Sequence, residues 1–265
     1  PQDRVNWTLG FEELQEDYEP RLGFVNRNDI RHTFWVFRLR ERPDTGPFRT
    51  IDHEVFGQVF LDSGNEVETV LLFAKPLVFT SPIGDGFEFY YSFRNERVRT
   101  QFPVFDIPFS TYTFHEGGAR IFTSRNRAIQ AELEVSHGTF FDGTRTRVDA
   151  ELEWRPSHFL FVEVDYQFRD VNLPMGGSST PRNDRDTQLI RFRTTLQFNA
   201  DVSWSTYAQY DNVSDSAGVN SRLRWIVRDG REFFVVFNQA LDTTENDVRR
   251  ERTEALVKAI WTLTF

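Results

Sequence analysis

The chain has 265 residues, no cysteine and a formal net charge of −9 at pH 7. The absence of cysteine excludes disulfides and thiolate metal sites, and the acidic balance argues against a nucleic-acid binder with a basic face. No stretch approaches the roughly 18–20 apolar residues of a membrane-spanning helix, so a helical membrane protein is excluded. Aromatic residues nevertheless make up 15% of the chain while the mean hydropathy is only −0.51. Low hydropathy with many aromatics is typical of a sheet that has one face in lipid and the other in water.

Apolar residues occupy every second position along most of the chain, which is the pattern of β-strands. The first half contains six such segments, the sixth being residues 110–123, which Gly117 and Gly118 interrupt. The apolar faces of the other five are, in chain order, Val5, Trp7, Leu9 and Phe11; Trp35, Phe37 and Leu39; Val55, Gly57, Val59 and Leu61; Val67, Thr69, Leu71 and Phe73; Phe87, Phe89, Tyr91 and Phe93.

The second half contains eight more segments, which brings the predicted total to fourteen strands. Residues 233–241 are apolar on both faces, so the orientation of that strand stays open. In the last strand, Leu256 and Ile260 interrupt an otherwise polar face. The other apolar faces are Ile129, Ala131, Leu133 and Val135; Val148, Ala150, Leu152 and Trp154; Leu160, Val162, Val164, Tyr166 and Phe168; Ile190, Phe192, Thr194, Leu196 and Phe198; Val202, Trp204, Thr206, Ala208 and Tyr210; Ser221, Leu223, Trp225 and Val227; Ala255, Val257, Ala259, Trp261, Leu263 and Phe265.

The connections between these segments alternate in length. The predicted short turns lie at residues 124–125, 155–157, 199–201 and 229–230, and the longer polar loops at 137–145, 169–187, 211–220 and 243–253. Outer-membrane barrels have short periplasmic turns and longer outer loops. An even number of strands then places both termini in the periplasm. The first half is less regular, because residues 41–49 are long for a periplasmic turn and 61–66 are short for an outer loop.

A soluble β-sandwich or β-propeller would also alternate, because one face of each sheet is buried. The strands here are long, and their polar faces carry charges throughout. Trp7, Trp154, Trp261 and Phe265 lie near strand ends, as interfacial girdles require. In lipid the sheet must close, since unpaired backbone groups are costly there. We therefore predict an all-β fold: a single transmembrane antiparallel up-and-down β-barrel over residues 1–265 in the bacterial outer membrane, in contact with its lipid.

The side chains opposite the apolar faces are expected to line the interior of this barrel. They form acidic and basic ridges, which create either a polar channel with a transverse field or an interior whose ion pairs satisfy one another. Fourteen strands lie between the eight that side chains fill and the sixteen to eighteen that leave an aqueous channel. The predicted lining residues are Arg38, Arg40, Glu132, Glu134, Asp149, Glu151, Glu153, Glu163, Asp165, Arg191, Arg193, Arg222 and Arg224.

Candidate chemistry is sparse. The five histidines show no metal-ligand spacing, and no nucleophile elbow is present, so we expect no metal, no cofactor and no catalytic residues. His137 with Asp142 near the outer rim could form a hydrolase pair, but a solvated loop explains them more simply. The pairs Glu132/Glu134 and Glu163/Asp165 could do acid–base work. At alternate strand positions they are more simply interior lining.

Two stretches, residues 23–31 (GFVNRNDIR) and 220–230 (NSRLRWIVRDG), together with 233–238 (FFVVFN), resemble the C-terminal outer-membrane barrel of a bacterial family. Members of that family usually carry an N-terminal domain similar to carbohydrate-binding module family nine. The resemblance spans essentially the whole chain and implies that residues 1–265 are the membrane portion of a longer protein. It supplies no catalytic residues. The apolar alternation that ends in Trp261, Leu263 and Phe265 also resembles the C-terminal signature that the barrel-assembly machinery reads.

These observations favour a pore for small polar solutes such as saccharides. The alternative is a plugged barrel that anchors a periplasmic domain or docks other envelope proteins. In that case Phe34, Phe56, Phe60 and Tyr90 would fill the interior together with the charged ridges. An outer-membrane hydrolase is the third hypothesis, and no convincing set of residues supports it.

Overall fold

The structure is a computed structural model that describes residues 4–19, 29–99, 107–173, 185–244 and 248–262. Fourteen antiparallel strands follow one another in sequence order within a single sheet, which confirms the predicted all-β, up-and-down arrangement. The strands are β1 (Val5–Leu14), β2 (Ile30–Glu41), β3 (Thr50–Asp62), β4 (Val67–Thr80), β5 (Gly86–Arg97), β6 (Thr111–Phe122), β7 (Ile129–Phe140), β8 (Gly143–Ser157), β9 (Leu160–Asn172), β10 (Arg185–Gln197), β11 (Val202–Asp211), β12 (Ser216–Arg228), β13 (Arg231–Asp242) and β14 (Arg249–Trp261).

The sheet is open at both ends of this order. Among the described residues, β1 pairs only with β2, and β14 pairs only with β13. Every residue of β14 is exposed, and so are eight of the ten residues of β1. In the described part of the chain, no helix is long and apolar enough to cross a membrane.

The strands group into two compact units, which are treated separately below. The first unit comprises Pro1–Ile121, Glu134–Thr146 and Asp170–Arg185. The second comprises Phe122–Leu133, Arg147–Arg169 and Asp186–Phe265.

In the first unit, the apolar face of the sheet is the exposed one. Residues directly opposite each other in an antiparallel pair share a face. Trp35 and Phe37 of β2 are exposed, and the β4–β5 register continues this surface to Phe89 and Tyr91. The opposite face holds buried polar side chains, including Asp52, Thr69 and Glu88. We call these two surfaces the apolar face and the polar face.

The second unit has the same inverted arrangement. The registers of β11 to β14 place Trp204, Leu223, Val235 and Val257 in one row on an exposed face, and Phe192 of β10 lies further along the same face. They also settle the orientation of β13, because Phe233, Val235 and Phe237 lie on this apolar face while Phe234 and Val236 lie on the polar face.

The predicted apolar face of β4 is right for Val67, which pairs with Leu61, and wrong for its other three residues. Thr69, Leu71 and Phe73 pair with Phe60, Gln58 and Phe56, which lie on the polar face, and Thr69 is buried. The cause is an irregularity at Phe60/Leu61, which moves the alternation by one position, and a second at Ala74/Leu77 restores it. A β-bulge inserts one unpaired residue and so exchanges the two faces of a strand. Val70, Leu72 and Ala74 consequently form the apolar face of the central part of β4.

Three predicted long loops are shorter than expected. Strands β7 and β8 are separated only by residues 141–142, β11 and β12 by 212–215, and β13 and β14 by 243–248. Phe141 and Asp215 adopt positive φ values of 52° and 46°, and such residues permit sharp reversals of the chain. The predicted turn at residues 229–230 is confirmed, with Gly230 at φ 74°.

One compact apolar cluster lies in the first unit where the β5–β6 and β9–β10 connections meet their strands. Ile107, Val171 and Leu173 are buried in it, and Leu173 is only 2% exposed. Tyr112, Phe140 and Phe141 pack around them. This end of the first unit therefore has an apolar core of its own.

Candidate functional site

Ion pairs between neighbouring strands cover the polar face of the first unit. Arg38 of β2 donates from Nε and Nη2 to the same carboxylate oxygen of Glu54 on β3, at 3.0 and 2.6 Å. Arg40 reaches Asp52 at 2.6 Å. The antiparallel register places both pairs directly opposite each other. Two predicted lining arginines are thus held by carboxylates that the sequence analysis did not single out.

Glu88 is the most buried charged group of this face, at 4% exposure. One of its oxygens contacts Lys75 Nζ at 2.9 Å and Arg120 Nε at 3.3 Å. Two cations around one carboxylate offset the cost of removing its charge from water. The predicted lining residue Glu134 lies beside this cluster in the same unit and accepts a hydrogen bond from Tyr90 at 2.6 Å.

The acidic and basic ridges of the second unit pair with each other across adjacent strands. Their side chains range from well covered to half-exposed, so they remain beside water rather than in an apolar core. The pairs are Asp149 with Arg169 at 2.6 Å, Asp165 with Arg191 at 3.8 Å, Glu163 with Arg193 at 3.3 Å, and Arg224 with Glu232 at 2.7 Å.

The remaining predicted lining residues have different surroundings. Glu153 pairs with Arg155 of its own strand at 2.6 Å, and Arg222 lies over the ring of Phe234 at 5.9 Å. Glu132 and Glu151 line a cavity of about 180 Å³ together with Asp149 and Asp165. The cavity is therefore acidic. Among the described residues, no group of three or more histidines and carboxylates is placed to hold a metal ion.

The structure gives three of the candidate catalytic residues other polar partners. His137 Nδ1 lies 2.9 Å from the hydroxyl of Thr146. Glu163 and Asp165 each pair with an arginine on β10. Both carboxylates therefore take part in ion pairs between β9 and β10.

The predicted girdle residues lie on the exposed surface. Trp7, Trp154 and Trp261 are all exposed, Trp7 at 71%. The guanidinium of Arg231 lies 3.5 Å from the centre of the Trp261 ring, a cation–π contact at the turn end of β13 and β14. Leu263 and Phe265 lie outside the described residues.

Sequence reasoning missed Asp52, Glu54 and Glu88, although a usable signal existed. Asp52 and Glu54 alternate on β3 as Arg38 and Arg40 do on β2. Complementary charges at matching spacing on successive strands indicate cross-strand pairing. No such signal marks Glu88, because its two cationic partners lie on the strands on either side of it. Lys75 faces Glu88 only because the irregularities of β4 exchange the faces of that strand.

Neither the comparison with protein-family models nor the search of curated proteins finds a match to this chain.

Proposed function

We propose that this chain is a bacterial outer-membrane β-barrel whose polar face lines a passage for small polar solutes. The observation that carries the proposal is the inverted burial of the sheet. In each unit, aromatic and aliphatic side chains are exposed, while carboxylates such as Glu88 and Glu163 are covered. A water-soluble sheet protein buries its apolar face, and contiguous exposed apolar surface of this kind marks contact with lipid or with another protein.

Closure of the sheet is part of the proposal. The outer edges of β1 and β14 present unpaired N–H and C=O groups along ten and thirteen residues. In lipid each unsatisfied group costs several kcal/mol, so an open edge is not tolerated there. We propose that β1 and β14 pair antiparallel, that both termini face the periplasm, and that the C-terminal strand is read by the barrel-assembly machinery.

The lining of the proposed passage is charged but locally balanced. Since most arginines of the polar face hold a carboxylate on a neighbouring strand, the surface presents closely spaced charges of both signs. Such a surface stays hydrated and does not exclude solutes of either sign outright. This favours passage of small polar solutes over selection for one ion. The proposal assigns the chain no catalytic role.

The test is single-channel recording of the purified 265-residue chain in a planar bilayer. Discrete current steps are expected. Insertion is verified separately by heat-modifiable gel mobility, in which a folded barrel migrates differently before and after boiling. Inserted protein that never conducts would contradict the passage while leaving the barrel intact.

A second function has an observation of its own in its favour. The apolar cluster around Leu173, with Phe114 buried nearby, lies in the first unit at the end where the longest connections occur. Phe34, Phe60, Phe73 and Tyr90 add further aromatic rings to the polar face of that unit, in contacts such as Phe73 with Tyr90. An interior filled in this way would suit a barrel that anchors a periplasmic domain or docks other envelope proteins. Silent but inserted protein would favour this function.

A further inference from the structure

The polar face of the second unit is not charged throughout. In the middle of β11, β12 and β13, between Arg222 and Arg224 on one side and Asp211 and Asp242 on the other, it carries uncharged side chains. The register places Tyr207 opposite Asn220, Gln209 opposite Gly218, Asn220 opposite Asn238, and Gly218 opposite Ala240. We call these six residues the neutral patch: Tyr207, Gln209, Gly218, Asn220, Asn238 and Ala240.

Charged pairs surround the neutral patch. Arg191 and Arg193 lie beside it on β10, and each is paired with a carboxylate of β9. Arg252 and Glu254 pair with each other beside it on β14. These flanking charges already hold partners. The six uncharged side chains of the patch therefore lie within a surface of paired charges.

Five of the six patch residues, all except Asn238, line an open groove of about 460 Å³, a volume within the range of small-molecule sites. The small residues Gly218 and Ala240 form its floor, and Tyr207, Gln209 and Asn220 are among the residues that line it. A Cβ added at Gly218 would meet only the carbonyl oxygen of Gln239, at 4.0 Å. The space above the glycine is therefore free for a solute.

The polar groups of the patch can form further hydrogen bonds beyond those they make to one another. Tyr207 donates to Gln209 Oε1 at 2.6 Å, and Asn220 Nδ2 donates to Asn238 Oδ1. A primary amide has two N–H donors and one carbonyl acceptor, and a phenol can accept as well as donate. The amide N–H groups of Gln209 and Asn238 and the carbonyl of Asn220 thus remain available. The patch thus offers hydrogen-bond donors and acceptors side chain by side chain, without net charge. This arrangement matches hydroxyl groups, because a hydroxyl group both donates and accepts hydrogen bonds.

We propose that the neutral patch is a binding subsite for uncharged polyhydroxylated solutes of the size of a sugar. The proposal rests on the proposed passage, and it names the solute class that the passage takes. An anionic solute gains little here, because the one charged side chain among the described residues that line the groove is the carboxylate of Glu251, which repels it. An uncharged polyol gains several hydrogen bonds at the point where the ionic lining is interrupted.

The test uses maltose as the neutral probe and gluconate as the charged one. In conducting channels, maltose is expected to interrupt the ion current reversibly, and gluconate is not. Gly218→Trp fills the groove and should abolish the interruptions while the ion current persists. Gly218→Ala adds one methyl group to open space and should preserve them. Gln209→Leu removes the amide donors of a residue that lines the groove and should weaken maltose binding about threefold to tenfold.

Saturation-transfer NMR on folded protein in detergent keeps the two proposals distinguishable. Transfer from protein to maltose, lost in Gly218→Trp, supports the subsite even if the bilayer is silent. Conducting channels that ignore maltose, or that respond equally in wild type and Gly218→Trp, would overturn the subsite and leave the passage standing. A silent bilayer without saturation transfer would overturn both. Heat-modifiable mobility confirms that each variant is folded.

Discussion

The phenol ring of Tyr90 lies directly over Gly118, on the neighbouring strand. A Cβ added to Gly118 would stand 2.3 Å from Cζ of that ring, which is too close for any side chain. The hydroxyl of Tyr90 then reaches past the glycine to Glu134 on β7. Gly118 thus provides the space through which one buried aromatic residue connects three strands.

Gly118→Ala should therefore destabilise the folded chain. Forcing a methyl group against a buried ring costs about 1–3 kcal/mol, because the ring or the backbone must move. The adjacent Gly117 is the matched control, since a Cβ there meets no atom within 4 Å, and Gly117→Ala should change stability by less than about 0.5 kcal/mol. Urea unfolding of both variants in detergent micelles measures the difference. Equal stabilities would contradict the close contact.

Two neighbouring residues of β14 test which face of the sheet meets lipid. Val257 and Leu256 are both exposed, at 73% and 44%, and lie on opposite faces. Val257→Arg should cost about 2–4 kcal/mol in phospholipid vesicles, as arginine does at the lipid-facing midplane of a barrel. Leu256→Arg, on the polar face, should change stability by less than about 0.5 kcal/mol. Denaturant unfolding in vesicles measures the free energy of unfolding of both variants. If both lose equally little stability, both faces of the sheet lie in water.

Much of this arrangement can be predicted from alternation alone, and the failures have physical causes. The faces of β2 and β5 follow a strict period of two, so Trp35 and Tyr91 lie on the apolar face as expected. On β4 the pattern fails because bulges exchange its faces without any change in the sequence period. Which carboxylate an arginine pairs with, as Arg38 does with Glu54, depends on the register between two strands. The alternation within one strand does not reveal that register. The neutral patch went unrecognised for the same reason.

The ion pair between Arg193 and Glu163 tests whether the charged ridge lines the passage. Arg193→Glu leaves Glu163, whose side chain is only 13% exposed, without its cation and adds a second carboxylate beside it. Preference for potassium over chloride should rise several-fold, because focused negative charge attracts cations. The double variant that exchanges the two residues restores the pair and should return selectivity close to wild type. Reversal potentials in a salt gradient measure both. Unchanged selectivity in conducting channels would place this pair outside the passage.

Leu173 tests the apolar cluster of the first unit. Leu173→Ala should cost about 2–5 kcal/mol, because the side chain is fully packed and leaves a cavity. Ile83→Ala is the control, since Ile83 is 62% exposed in the β4–β5 turn and should lose less than about 0.5 kcal/mol. Thermal unfolding measures both. A Leu173→Ala variant as stable as the control would show that the cluster is not packed.

The same Leu173→Ala variant bears on the second candidate function. A larger single-channel conductance would show that the cluster narrows the passage. Unchanged conductance with lowered stability would give the cluster a purely structural role.

We propose that one face of every strand meets lipid while the other meets water. The chain has no cysteine, so single cysteines can be introduced at Val235, Val236, Phe237 and Asn238 of β13 and labelled with a fluorophore without background. In vesicles, brominated acyl chains should quench the labels at 235 and 237, and aqueous iodide should quench those at 236 and 238. Iodide quenching at all four positions, with none by brominated lipid, would contradict the membrane barrel itself.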